Sequence, residues 1–587
     1  MLIVLLNWLF IAMSCGIWGF ACYRILRHYT DEAAPEAGIT DVVLMGMASL
    51  TVLCNVFSLW MPIGQTVWSI LTVGSLILLI WNRKAFAAYL QLQRAYFSQS
   101  NRLIFIYLFL LFAIAIIKTI GPCLIGDEGG YQLPIVRWIE TFPVVPGIAN
   151  IEDRMGLNPA IYMTNALFGV AWLYEGGLYD LNSFLFVLIG GSFLFGFGRL
   201  LRGETNTMLS SIVQATALVF LYRNYLSSMD ADLISLYGML FFLIGIIRQM
   251  EQGRFGSNDW QSIWSLLLLC FLVSSKFSAV LIAPLAVWLF YLLLRKKHYT
   301  SATLSLGFGS LILLSWMARN YYISGFAVYP LYFVDLFDVD WKVPRALARG
   351  VYSYVSEYAK IGIVRPFNTY VSTLPPLEIW FPIWLKVRWP ELINKLIFIG
   401  LPACMLLGLR LCFIKRQPPQ KQLRYLVLLL FLAIALWFFR IPAPRFGWPW
   451  ILVFMCTVSF LNFEQLLLRR QRLVATGLAV LLGISLLRST VATIRENYGT
   501  QKQELINLVD PMLREKVLTF DIREHWLYPA PTAYGATYST QSINGIQVLV
   551  APDDFCRDAT PPCIPKGYHP RLEARGATVE EGFRIGK

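Results

Sequence analysis

The chain has 587 residues, 57% of them hydrophobic and 14% charged, with 49 Lys and Arg against 35 Asp and Glu for a net charge of +14. Soluble domains carry about 25% charged residues, so no set of compact cores could hide this much apolar surface. A mean hydropathy of +0.58 excludes a soluble multidomain protein, a disordered chain and a small disulfide scaffold, and predicts an all-α polytopic membrane protein.

A helical crossing needs about 20 apolar residues, and runs of that kind number about fourteen. They fall at 2–22, 40–62, 64–81, 103–121, 181–198, 207–222, 232–248, 259–274, 277–294, 301–318, 394–412, 424–439, 447–463 and 473–489. The first lacks a basic start and a small-residue cleavage site, so it reads as a span rather than a signal peptide. Alternate connections are basic: Arg24/Arg27, Arg83/Lys84/Arg94/Arg102, Arg199/Arg202, Arg248/Arg254, Arg295/Lys296/Lys297, Lys415/Arg416/Lys421 and Arg469/Arg470/Arg472. The positive-inside rule makes these loops cytoplasmic and puts both termini outside. The basic excess lies in short clusters and forms no continuous face, which suits a membrane and not a nucleic acid. Residues 158–176 are apolar enough to span, yet counting them would reverse every later loop. They read as an interfacial or re-entrant helix on the outer face.

Three segments result: N-terminal spans over 1–102, a transmembrane core over 103–489 with outer loops at 122–180 and 319–393, and an extracytoplasmic tail over 490–587. In the tail, GIQVLVAPDD (545–554) predicts a short strand and turn, giving a small mixed α/β element. Neither an internal repeat nor a low-complexity stretch is evident, and inverted repeats, frequent in secondary transporters, are not visible.

The scarce charges outside the basic loops are the candidates for chemistry. Asp127 and Glu128 follow a span directly and precede two glycines that let the backbone turn. A carboxylate at that lip is partly desolvated, which moves it toward the range of a general base; a pair of solvated loop acids is the plainer alternative. Glu152, Asp153 and Arg154 can pair locally. Asp230 and Asp232 stand where a helix begins, so capping explains them as well. Lys276 lies in a tight connection and either snorkels to headgroups or turns inward. Arg319 closes a span. Tyr329, Asp340 and Trp341 lie in a loop that mixes aromatic and charged residues, as a sugar cleft or an aromatic belt would; WFPIW (380–384) carries the same two meanings. Arg440 and Arg445 flank a proline-rich turn and suit a phosphate or pyrophosphate, or else anchoring to anionic headgroups.

No Walker A sequence, G-x-S-x-G elbow or H-E-x-x-H motif occurs. The four histidines are scattered and no CxxC pair supports a zinc site. Of ten cysteines, eight lie in or beside apolar runs and act as small hydrophobes. Cys556 and Cys563 sit in the polar tail, where an oxidising compartment favours a local disulfide.

The ordered set DEGGYQLPIVRWI (127–139), VPGIANIEDRMGLN (145–158), SSMDADL (227–233), SSKFS (274–278), RNYYISGFAVYP (319–330), VDWKVP (339–344), PAPRFGW (442–448) and CRDATPPCIP (556–565) resembles the GT-C superfamily of integral membrane glycosyltransferases, and most closely a group of bacterial multi-span proteins with that organisation. The resemblance covers most of the chain beyond residue 100. It implies a GT-C-like fold in a bacterial plasma membrane and inverting transfer of a sugar from a polyprenyl-phosphate donor to a glycan, lipid or protein acceptor. Asp127 would be the general base, with Glu128 as neighbour or alternate. Lys276, Arg319, Arg440 and Arg445 would meet the donor phosphate, and Tyr131, Asp232, Tyr329, Asp340 and Trp341 the sugar or acceptor. Members differ in needing a divalent cation, and these residues do not decide it. The competing functions are a lipid-linked glycan polymerase or ligase, a transporter or flippase, and a non-catalytic scaffold. A transporter needs ionisable residues at mid-membrane, which most of the runs lack.

Overall fold

A computed structural model describes residues 1–30, 36–123, 125–174, 176–221, 223–362, 376–388, 392–412, 420–498, 512, 514, 520–530 and 534–586. The chain is mainly helical: α1 (Leu2–His28), α2 (Ile39–Phe57), α3 (Gln65–Ser98), α4 (Arg102–Ile120), α5 (Leu133–Thr141), α6 (Ile161–Gly169), α7 (Leu181–Leu201), α8 (Met208–Val219), α9 (Ala231–Glu251), α10 (Trp260–Ser275), α11 (Ala283–Arg295), α12 (Tyr299–Ser324), α13 (Arg345–Ile361), α14 (Leu377–Arg388), α15 (Leu392–Cys412), α16 (Gln420–Arg440), α17 (Pro444–Arg469) and α18 (Gln471–Tyr498). Among the described residues 12 helices are long and apolar enough to cross a membrane, with α11 extended by the 3-10 turn that begins at Phe277. The remaining two predicted spans coincide with shorter apolar helices, α8 at 12 residues and α10 at 16. The ambiguous run at 158–176 forms α6, a buried helix of 9 residues. At about 1.5 Å per residue it cannot traverse a core about 30 Å thick.

Local chemistry sets the helix ends. Asn101 starts α4 by accepting the Leu103 N–H at 3.0 Å, and Asp259 starts α10 by accepting that of Ser262 at 2.9 Å. Gly325 closes α12 in the left-handed region at φ 77°. Helices α1 and α2 cross in close contact at two glycines. A Cβ on Gly19 would lie 1.7 Å from the Val42 carbonyl oxygen, and one on Gly46 would lie 1.8 Å from that of Cys15. Only glycine admits this approach, as in small-residue packing between membrane helices.

Short connections make the helices alternate in direction, so the bundle has two ends. At the upper end the ammonium of Met1 donates to the His525 carbonyl at 2.9 Å, and the Leu2 and Ile3 N–H groups donate to Trp526 and Leu527. The N-terminus and the tail therefore share one end. The first long loop is stitched there as well: Ile63 N–H donates to Ile139, Val144 to Ser58, Gly147 to Tyr322 and Ala160 to Ser274. The predicted basic loops fall at the lower end; Lys415 and Arg416 lie outside the described residues.

The tail carries two small sheets. β1 (Ser539–Ile543) and β2 (Ile546–Val550) form an antiparallel hairpin turned by Asn544 and Gly545, both at positive φ. β3 (Cys563–Ile564) adds to β2 in parallel, while β4 (Leu572–Ala574) pairs antiparallel with β5 (Phe583–Ile585). Cys556 and Cys563 are disulfide-bonded, with Cα atoms 6.0 Å apart. The tail lies on the first loop: Phe583 N–H donates to Pro146 at 2.9 Å, and its ring meets Trp138 edge-on.

Candidate active site at the upper end of the bundle

Beyond α4 the backbone makes a π-helical turn over Glu128–Gln132 that runs into α5. Such turns are uncommon and concentrate at functional sites. The two acids that open it face different surroundings. Asp127 is half-buried at the lip, and its side chain caps nothing. Glu128 is 1% exposed. One of its oxygens accepts the Met229 N–H at 2.9 Å, and the other has no hydrogen-bond partner. Burial pushes this carboxyl from its ordinary 4.5 up to about 8; the Met229 N–H opposes the rise and nearby Asp230 adds to it. The cavity beside Glu128 measures about 40 Å³, room for a water but not for a sugar.

Met229 belongs to the turn before α9, which Asn182 holds by donating to the carbonyls of Tyr225, Ser228 and Asp230 at 3.2, 2.6 and 2.9 Å. Asp230 is the N-cap of α9 and accepts the Asp232 N–H at 2.8 Å. Burial, then the charge of Asp232, raises the Asp230 carboxyl above its ordinary range. Asp232, one residue into the helix, is the hub of an ionic cluster. Its carboxylate meets Lys276 Nζ at 2.5 Å and Arg445 Nε at 3.2 Å. Arg445 also donates to the Tyr225 hydroxyl at 2.8 Å, and both cations sit 5.0 Å from the centre of the Phe446 ring. Lys276 and Arg445 keep 26% and 21% of their side chains exposed, so each presents an open face while anchored. The Glu128–Met229 bond holds the first loop against the turn that leads into Asp230 and Asp232, which places the first-loop acids beside the cluster.

The structure thus brings Asp127, Glu128, Tyr131, Asp232, Lys276 and Arg445 into one neighbourhood. The other expected site residues lie elsewhere. Arg319 is buried and donates to Asn158 at 3.2 Å and Ser58 at 3.0 Å, tying α12 to α2 and the first loop. Arg440 is exposed at the end of α16, away from the cluster's ion pairs, and its carbonyl accepts from the Ser356 hydroxyl at 2.8 Å. Tyr329 packs in a satellite core with Ala149, Phe326 and Val343. Asp340 pairs with Arg575 at 2.8 Å, and Trp341 lies under the same guanidinium at 4.7 Å. These two clasp the tail, and their loop composition reflects that contact.

Sequence reasoning missed three features of this end. Tyr225 and Asn182 carry no motif. Lys118, Arg223 and Glu496 form a second ionic cluster, with Arg223 2.5 Å from Glu496, joining α4, the 220s turn and α18. The tail also closes over the site: Arg154 pairs with Glu152 at 2.5 Å and lies between the rings of Tyr131 and Phe555, and Tyr534 rests on Gly129. The local Glu152–Arg154 pairing was readable from adjacency; its partners in the tail were not. Among the described residues no three His, Cys, Asp or Glu side chains group closely enough to hold a metal ion.

A bundle with many long apolar helices, and with an ionic cluster at its upper end, is the architecture of a polytopic helical membrane protein. Such a site can hold a proton on a carboxylate and set two cations against an anion. The chain belongs to the family described as Domain of unknown function (DUF8201), whose model matches residues 1–452. No curated protein and no solved structure matches it.

Proposed function

We propose that the protein is a GT-C-type glycosyltransferase that moves a sugar from a polyprenyl-phosphate donor to an acceptor hydroxyl. In this reading fourteen helices cross a bacterial plasma membrane, the basic lower end faces the cytoplasm, and the site and both termini face outward. The acceptor oxygen attacks the anomeric carbon as the bond from that carbon to the donor phosphate breaks with inversion. Asp127 takes the hydroxyl proton, and the phosphate leaves with the bonding electrons. Lys276 and Arg445 stabilise the charge that grows on that phosphate. Glu128 is a positioning residue that holds the Met229 turn and thereby the start of α9.

The observation that carries this reading is the convergence of Lys276 and Arg445 on Asp232 beside the first-loop acids. In this reading the cluster lies at headgroup depth, and both cations are partly open. A transporter would place its ionisable groups along a path through the bundle instead.

The test is turnover of a lipid-linked sugar by purified protein in detergent, with product analysis. Asp127→Asn is expected to lower transfer by about 100-fold or more, the size of a lost general base, while monodispersity and melting stay those of the wild type. Wild-type turnover by that variant removes Asp127 from the role. Absence of transfer with every donor in the unaltered protein removes the enzyme reading.

A further inference from the structure

A second cavity lies away from this site, at the lower end. It measures about 480 Å³ and is lined by α2, α3, α4, α7, α8, α9 and α10. Asp232 near the start of α9 and Arg248 near its end are 16 residues apart, so about 24 Å of helix separates the two places.

The lining holds two arginines, with Glu36 and Asp41 as its acids. Arg199 on α7, 6% exposed, and Arg248 on α9 both line it, and the Nε of each has no hydrogen-bond partner. The two guanidiniums are within electrostatic reach of each other, and Arg248 is also within reach of Asp41 and Glu251. Every nearby carboxylate already has another engagement. Asp41 accepts from the Trp264 indole at 3.2 Å, and Glu251 accepts the Leu209 and Ser210 N–H groups at 2.7 and 3.3 Å, capping α8. Glu36 at the rim is paired with Arg27 and Tyr23. Among the described residues neither arginine forms an ion pair within 4.0 Å. Two like charges buried with spare donors are costly unless an anion joins them.

The rest of the lining indicates which anion. Side-chain oxygens of Gln214, Gln249 and Gln261 also lack partners, so the site offers acceptors for hydroxyl groups beside donors for a phosphate. One wall is apolar, built from Phe97, Leu108, Val187 and Leu188. Leu92 lines the cavity and is 55% exposed on the bundle surface, which gives a hydrocarbon chain a lateral way out. We propose that this cavity binds the hydroxyl-bearing phosphate head of an anionic membrane lipid, with Arg199 and Arg248 forking the phosphate and the three glutamines receiving the hydroxyls. The volume suits a headgroup and the first part of its chains. This inference stands independently of the catalytic reading.

The test uses the full chain, delipidated in a neutral detergent and titrated with short-chain phosphatidylglycerol, phosphatidylcholine or soluble sn-glycerol 1-phosphate. Binding is read by indole fluorescence, since Trp260 and Trp264 line the cavity, and by the rise in melting temperature. Phosphatidylglycerol is expected to bind saturably and at least tenfold tighter than phosphatidylcholine. Arg199→Gln with Arg248→Gln is expected to weaken it at least tenfold. Without lipid the double variant should melt no lower than the wild type, because it removes two buried charges of like sign; Arg248→Gln alone provides the same comparison if the double variant does not fold. Equal saturation by glycerol phosphate would keep the phosphate site but assign it to a soluble ligand. Undiminished binding by the variants, or no preference for the anionic lipid together with no binding of glycerol phosphate, would overturn the proposal.

Discussion

Glu128→Gln gives the sharpest check on the electrostatics of the upper end. The carboxyl is 1% exposed and is held at about 8 where a free one sits at 4.5. Between those values the folded protein keeps a proton that the unfolded chain has lost. Stability therefore falls as pH rises, by about 1.4 kcal/mol per pH unit. The full loss, reached above pH 8, is about 5 kcal/mol. Gln has the shape of the neutral acid, keeps an oxygen for the Met229 N–H and cannot ionise. The variant and the wild type are thus expected to melt within a degree or two of each other at pH 5 and to diverge with rising pH, the variant being higher by several degrees at pH 9. Tryptophan fluorescence of the detergent-solubilised protein during heating reads this directly. Burial also pushes Glu140 up, to about 7, and Glu152 upward, so the wild-type curve alone cannot isolate one group; the difference between the two proteins can. A constant difference across pH would mean that Glu128 is not the buried neutral acid described above.

Two further substitutions probe how the site is held. Asp232→Ala leaves Lys276 and Arg445 without their shared partner and should cost about 2–3 kcal/mol in denaturant unfolding, below the about 3–5 kcal/mol of a fully buried pair because both cations are partly wet; an unchanged midpoint would show the hub to be idle. Gly129→Ala puts a methyl 2.6 Å from the Tyr534 hydroxyl and should loosen the tail at a cost of about 1–3 kcal/mol, seen as faster proteolysis after residue 498. Tyr534→Ala in the same chain should restore the room, and failure of that rescue would place the strain elsewhere.

The sequence made the bundle legible because each crossing is a local property: every apolar run found in it lies on a helix, and α6 is short as the charge alternation required. Its two acids were legible too, since a DEGG turn directly after a span is local chemistry. What stayed hidden depends on distance along the chain. Glu128 finds its partner 101 residues away, Asn7 finds Asp180 across 173, and Asp340 finds Arg575 across 235. Composition misled at Asp340 and Trp341 for the same reason. An aromatic and charged loop looks alike whether it faces a sugar or the protein's own tail. The lower cavity gave no sign at all, because Arg199 and Arg248 sit in basic clusters that the positive-inside rule already explains.

That last point bears on how phosphate binding to this protein should be read. At the upper end Lys276 and Arg445 are already neutralised by Asp232, with Asp230 alongside, so a lipid phosphate there must compete with a bound carboxylate. At the lower end two guanidiniums each have an unbonded Nε donor and, among the described residues, no acid within 4.0 Å. The resting protein is therefore expected to take up an anionic lipid below before it takes a donor phosphate above. Lipid affinity measured on the unaltered chain reports the lower cavity first. The donor affinity of the upper cluster is best measured with Arg199 and Arg248 replaced. There Asp232→Asn should tighten phosphate binding by freeing the two cations, and Lys276→Gln should weaken it; the reverse order would separate the cluster from phosphate recognition altogether.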